Sequence, residues 1–273
     1  MAIFPNKHTQ LCMSLAARPG NFGTRFHNYL YRALELDYFY KAFTTTDLAA
    51  AIGGIRALGI RGCAVSMPFK EASIPMMDEL DASAAAIESI NTIVNTDGQL
   101  KAYNTDYIAI RELIDRHRLD TSLRLALRGS GGMAKAVACA FRDAGFEQGT
   151  LIARNVEAGQ ALAHRCGYAW QATAEGIEAD LLINVTPIGM AGGSEAGSLA
   201  FGHEAVLQAT VVFDVVALPA RTPLIQAAEA AGKPVITGQD VATLQALEQF
   251  VLYTGERPPL SLIIEAAAFA AAG

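Results

Sequence analysis

Positive charge is scarce in this sequence: 21 lysines and arginines stand against 27 aspartates and glutamates, a formal net charge of -6. That balance argues against a general nucleic-acid surface, because phosphate backbones are bound by basic faces. An anion bound by such a chain must be met by a few cations gathered locally. Cysteine is also sparse. Cys12, Cys63, Cys139 and Cys166 lie far apart without a C-x-x-C pair, which predicts reduced, mostly buried thiols in a cytoplasmic protein. The five histidines (His8, His27, His117, His164, His203) lack metal-ligand spacing, and no metal is expected. Long apolar runs are absent too. The N-terminal MAIFPNKHTQLCMSL has no basic start leading into an apolar stretch and a cleavage site. The most apolar segment, LSLIIEAAAFAAAG, is interrupted by Glu265 and is too short for a bilayer. It is expected to be a buried or docking helix, in a cytoplasmic protein without membrane contact.

What is present is an α/β rhythm. Hydrophobic residues make up 52% and charged residues 18%, enough for a well-packed core. Short β-branched or aromatic runs alternate with longer helical stretches. A first series predicts strands near 10–15, 38–43, 60–66, 90–96 and 99–103, the last two joined by an Asp97-Gly98 hairpin turn. Helices are predicted near 23–35, 46–58 and 69–88. After a helix over roughly 106–118, a second series predicts strands near 123–128, 150–153, 180–185, 210–216 and 234–237, with a short one between Tyr168 and Ala172. Its helices fall near 132–144, 157–166, 222–231 and 240–254. No Gly/Ser-rich linker or internal repeat intervenes. The strands end near Gly238, so the C-terminal helices are free to pack back on the first domain. The expected organisation is an N-terminal α/β substrate-binding and catalytic domain over 1–105, completed by helices within 239–273, and a doubly wound (Rossmann) dinucleotide-binding domain over 106–238.

Residues 123–145, LRLALRGSGGMAKAVACAFRDAG, carry a strand straight into Gly129-Ser130-Gly131-Gly132 and then a helix. Glycine permits the tight turn and close approach to a pyrophosphate, and free N–H groups at the helix start favour negative charge. The third glycine of G-x-G-x-x-G falls on Ala134, after Met133. Arg154-Asn155 follows the next strand, 22 residues past Gly132, where an acidic residue would select NAD. A guanidinium there meets a 2′-phosphate bidentately, so NADP is the expected cofactor. Glu157 nearby is the residue that would overturn this. Farther on, Asn184–Met190 (NVTPIGM) ends a buried strand and is a candidate wall for the nicotinamide, through Thr186.

Hydride transfer to or from an alcohol also needs a group that gives or takes the hydroxyl proton. Two segments offer one. VSMPFK, residues 65–70, places Lys70 just after a strand, and YNTD, residues 103–106, places Asp106 where the second domain begins. These motifs together resemble those of the shikimate dehydrogenase family. Its N-V-T-x-P-x-K appears as 64–70, its V-N-T as Ile90-Asn91-Thr92, its Y-N-T-D intact at 103–106, and its N-R-T as Ala153-Arg154-Asn155. Its glutamine after the final strand corresponds to Gln245.

The resemblance implies an NADP-dependent oxidoreductase that reversibly reduces 3-dehydroshikimate to shikimate or a closely related hydroxy acid such as quinate. Lys70 would transfer the proton with Asp106 as its partner. Ser66, Asn91 and Gln245 would contact the polyol, and Thr186, Val215 and Gly238 would extend the cofactor contacts. The family's serine-x-serine carboxylate grip is replaced by Asn21 and Gly23, its ring-hydroxyl asparagine by Ala64, and its tyrosine-asparagine after D-V-V by Ala217-Leu218. Arg18 and Arg25 flank the altered grip, and one of them is expected to hold the carboxylate instead. The pattern resembles the shikimate dehydrogenase-like subgroup. Its alternative is a non-catalytic nucleotide or metabolite sensor on the same scaffold, in either case a monomer or homodimer.

Overall fold

Residues 5–272 are described by a computed structural model, and they divide into two units: the chain up to Thr105 together with the chain from Thr243, and Asp106–Ala242. In the first unit the elements run β1 (Gln10–Leu15), α1 (Phe22–Ala33), β2 (Tyr38–Phe43), α2 (Leu48–Ala57), β3 (Gly62–Val65), α3 (Phe69–Ala72), β4 (Glu79–Leu80), α4 (Ala82–Ala85), β5 (Thr92–Thr96) and β6 (Gln99–Tyr103). They form one sheet in the order β2-β1-β3-β5-β6-β4. β1, β2 and β3 run parallel, while β5 turns back antiparallel against both β3 and β6. The hairpin arises at Asp97-Gly98, both left-handed at φ 51 and φ 87, as the sequence predicts. Leu15, Ile55, Cys63, Ile93 and Leu100 fill the core beneath the sheet.

One predicted element is corrected. The sequence reads as a helix over 69–88, but α3 stops at Ala72, a single 3-10 turn covers Ile74–Met76, and β4 and α4 follow. Pro75 removes a donor that a continuing helix needs. Asp78 then ties the chain to the sheet edge, accepting from the Leu100 amide at 2.7 Å and from Arg56 at 2.7 Å. Asp81 restarts a helix by capping the Ser83 amide at 3.0 Å.

His27 of α1 is wholly buried and stacked on Tyr40, with ring centroids 4.5 Å apart. Burial drives its pKa down from 6.5 to about 3, so it stays neutral in the fold. The unfolded chain therefore binds a proton here that the folded chain refuses. This histidine's stability is complete above about pH 6.5 and is lost as the pH falls toward about 3. Between pH 7 and pH 5 we expect it to cost about 2 kcal/mol in urea unfolding. His27→Phe should remove that part of the pH slope; an unchanged slope would contradict the assignment.

The second unit runs α5 (Thr105–Arg116), β7 (Leu125–Arg128), α6 (Gly132–Asp143), β8 (Gly149–Ile152), α7 (Val156–Cys166), β9 (Ala169–Gln171), β10 (Leu181–Asn184), α8 (His203–Gln208), β11 (Val211–Asp214), α9 (Pro223–Ala230) and β12 (Val235–Thr237). Its sheet, β12-β11-β10-β7-β8-β9, is wholly parallel, and the strand order reverses between β7 and β10. This is the doubly wound, Rossmann-type arrangement, whose ligands lie at the carboxyl ends of the strands beside that reversal. The central strands LLIN and VVFD are buried throughout, as strands covered on both faces must be. α8 was not anticipated, since it is one and a half turns embedded in a glycine- and alanine-rich stretch.

α10 (Gly238–Thr254) begins in the second unit and ends in the first, and α11 (Leu260–Ala271) packs on α1. The Arg25 guanidinium donates twice to the Phe269 carbonyl, at 3.1 and 2.7 Å, and lies 4.1 Å from the Phe269 ring. Among the described residues no helix is long and apolar enough to cross a membrane, and no cluster of His, Cys, Asp or Glu could hold a metal.

Candidate functional site

In the second unit β7 delivers the chain into the glycine turn. Gly129 sits at φ +132, and a Cβ there would stand 2.9 Å from the Val185 carbonyl oxygen, so only glycine fits. Gly131 starts α6 without any side-chain cap, leaving the first amides of a 12-residue helix without a side-chain partner. Gly131 and Gly132 have open space where a side chain would be. A cavity of about 340 Å³ opens on this turn, bounded by Ser130 and Gly131, by Arg154 and Asn155 after β8, and by Val185 and Thr186 after β10. Helix-start amides, an uncrowded glycine turn and a guanidinium suit a phosphate-bearing dinucleotide. Asn155 also accepts from the Ala158 amide at 3.0 Å and so fixes α7 beside the cavity. Glu157 lines a different cavity, with Lys135 and Arg165, and not the one that holds Arg154.

Of the other expected cofactor residues Thr186 lines this cavity, and Ala134, Val215 and Gly238 are held within the fold. Ala134 is fully buried and packs α6 on its sheet. Thr186 donates its amide and hydroxyl to the Asn184 side chain, at 3.1 and 2.6 Å, and accepts from the Ile188 amide. Asn184 donates to Asp214 at 3.0 Å, and the Val215 amide donates to the Asn184 carbonyl at 3.0 Å. Gly238 begins α10 with no room for a Cβ, which would lie 2.3 Å from the Val216 carbonyl carbon. Asp214 is the centre of this scaffold: it accepts from Asn184, from the Val216 amide at 3.0 Å and from the Thr222 hydroxyl at 2.7 Å. Burial pushes its carboxyl pKa up, and these three donors pull it back.

In the first unit the register gathers the other candidates at one end of the sheet. β1 and β3 are aligned with Leu15 opposite Val65, so both chains leave the sheet together. The Ser66 amide donates to the Leu15 carbonyl at 2.9 Å, and the Ala17 amide to the Met67 carbonyl at 3.2 Å. The loop that leads to Asn21 and Gly23 is thus tied to the segment bearing Ser66 and Lys70. Lys70 lies on the first turn of α3, half-buried. Asn91 enters β5 opposite Val65, whose amide donates to its carbonyl at 2.7 Å.

The Asn91 side-chain oxygen accepts from the Thr105 amide at 2.8 Å, the Thr105 hydroxyl at 3.1 Å and the Thr92 hydroxyl at 2.8 Å. Its amide nitrogen is buried and has no acceptor among the described residues. Asp106, 5% exposed, follows this clamped threonine directly. Gln245 is half-buried on α10, one turn before Gln249, whose amide donates to the Thr92 hydroxyl at 3.1 Å.

Two expectations shift. Of the arginines flanking the altered grip, Arg25 is committed to the α11 carbonyl and ring, which leaves Arg18. At Gly23 a Cβ would meet the Tyr40 hydroxyl at 3.5 Å, ordinary contact, so packing does not demand glycine there. Gln249 was missed although its spacing from Gln245 puts both on one helix face. Arg128, also lining the 340 Å³ cavity, was passed over as a strand residue.

Comparison with known proteins accords with both halves. The family description "Shikimate dehydrogenase substrate binding domain" matches residues 22–93. A shikimate dehydrogenase-like protein of Haemophilus influenzae is 58% identical over 265 residues, covering 97% of this chain and 98% of that one. The solved structure of a Thermus thermophilus shikimate 5-dehydrogenase, in complex with NADP(H) and shikimate, superposes with a TM-score of 0.84 at 27% identity, covering 96% of this chain and 99% of that one. A quinate dehydrogenase from Corynebacterium glutamicum, in complex with NAD, gives 0.87 at 25% identity, covering 94% and 98%.

Proposed function

The chain belongs to the shikimate dehydrogenase family, and on that premise we propose that it is an NADP-dependent dehydrogenase of a cyclic hydroxy acid of the shikimate–quinate class. The observation that carries this reading is Asn91: a buried amide donor with no acceptor among the described residues, beside the Lys70 segment, in the unit matched to substrate binding. A buried donor left over by the fold calls for a ligand acceptor, and a ring hydroxyl supplies one.

Lys70 Nζ gives a proton to the carbonyl oxygen when the ketone is reduced and takes it back when the alcohol is oxidised. Asp106 holds the ammonium and accepts from the substrate hydroxyl, while Ser66, Asn91 and Gln245 fix the ring. A bound nicotinamide would supply or accept the hydride. Gly129–Gly132 and Arg154 would hold the dinucleotide by its phosphates, with Asn155, Thr186, Val215 and Gly238 shaping the site. The 2′-phosphate is the reason for NADP, since Arg154 stands where an NAD site carries a carboxylate. Asn21 and Gly23 leave the acid end of the substrate to other groups. This favours a substrate other than shikimate itself as the preferred one.

The test is an oxidation panel of ring hydroxy acids, including shikimate and quinate, run with NADP and NAD side by side. NADP-linked turnover of at least one acid is expected. Tight NADPH binding with no oxidation across the panel would make the protein a nucleotide sensor instead.

A further inference from the structure

The cavity beside the glycine turn holds two guanidiniums, and only one has a role so far. Arg128 ends β7 immediately before Gly129 and lines the same cavity as Arg154. It is half-buried and donates to the Ala200 carbonyl, so its position is fixed by the loop that follows β10. Burial lowers its pKa, Arg154 pushes the same way, and Glu195 opposes both. That carboxylate comes from the same loop, whose Gly189 amide donates to the Glu195 carbonyl at 3.0 Å. Glu195 Oε2 stands 3.9 Å from Arg154 Nη2, with side chains 38% and 78% exposed. So long and exposed a pair is weak and is readily exchanged for a better anion. Two cations and one loosely held carboxylate leave the cavity short of one negative charge.

We propose that Arg128 and Arg154 together grip the 2′-phosphate of the dinucleotide, and that Glu195 stands in for this phosphate at Arg154 until displaced. Glu195 is then a specificity determinant: it competes with a 2′-phosphate but not with an unphosphorylated ribose. Arg128 is positioned before binding, because the Ala200 carbonyl already orients its guanidinium. The inference rests on the NADP reading and adds to it a second cation and an internal competitor.

Calorimetric binding of adenosine 2′,5′-bisphosphate and adenosine 5′-monophosphate tests this without turnover, since the two differ only in the 2′-phosphate. For Glu195→Gln the bisphosphate should tighten by about three- to tenfold while the monophosphate changes less than about twofold. For Arg128→Gln the bisphosphate should weaken by about tenfold or more, again with the monophosphate nearly unchanged. Arg128→Lys, which keeps a charge and a donor for Ala200, should recover part of that loss. If the unaltered protein binds both nucleotides equally, the NADP reading fails and this inference with it. If Arg154→Gln abolishes a clear preference for the bisphosphate while Arg128→Gln and Glu195→Gln leave it intact, only the present inference is overturned. Equal weakening of both nucleotides by Arg128→Gln would likewise overturn it, marking Arg128 as a scaffold residue.

Discussion

Lys70→Ala is expected to lower kcat by about a thousandfold, within the ~10²–10⁴ range that general acid–base groups contribute. Cofactor affinity should stay within about twofold, because no residue of the glycine-turn cavity is altered. Lys70→Arg should fail almost as badly. A guanidinium keeps the charge but does not release its proton near neutral pH. An unaltered kcat in Lys70→Ala would remove this residue from the chemistry, whereas a raised KM with unaltered kcat would reduce it to a binding group. Asp106→Asn should separate the partner's two tasks. It retains a hydrogen-bonding side chain but loses the negative charge, so kcat should fall more than KM rises.

Asp214→Ala should be the most destabilising single change in the second unit. It strands the Asn184 amide, the Thr222 hydroxyl and the Val216 amide, all of which donate to this carboxylate. Buried donors left unpaired cost about 1–3 kcal/mol each, so a loss of about 4 kcal/mol is expected. The corresponding fall in Tm is roughly 10 °C, read by calorimetry. Asp214→Asn, whose side-chain oxygen can still accept, should lose about half as much. A change below about 1 kcal/mol for the alanine variant would show that the network is not what shapes the turns after β10 and β11.

The legible parts of this molecule are those set by local chemistry. The parallel sheet of the second unit announces itself through apolar runs such as LLIN and VVFD, and the Asp97-Gly98 turn through its left-handed preference. The glycine turn is legible because only glycine fits at residue 129 against Val185. What was not legible depends on residues distant in sequence. The stretch 69–88 looks helical until Asp78 is drawn to the sheet edge by Leu100 and Arg56. Arg25 looks like a surface cation suited to a carboxylate until α11, 244 residues onward, presents the Phe269 carbonyl to it. Glu195 lies in a glycine-rich loop with no pattern at all, and only its closeness to Arg154 gives it meaning. The unmatched Asn91 amide is likewise invisible in sequence: Thr92 and Thr105 hold the oxygen of the side chain in place, and the fold sets no acceptor among the described residues beside its nitrogen.

Isotope transfer tests the central claim most directly. The protein is mixed with NADPH deuterated at the nicotinamide and with 3-dehydroshikimate or the keto acid of the best panel substrate, and the product is analysed by mass spectrometry. Deuterium on the carbinol carbon of the product, appearing about a thousandfold more slowly when Lys70→Ala is used, is the predicted result. Full NADPH binding with no label in any product would contradict dehydrogenase chemistry on this chain.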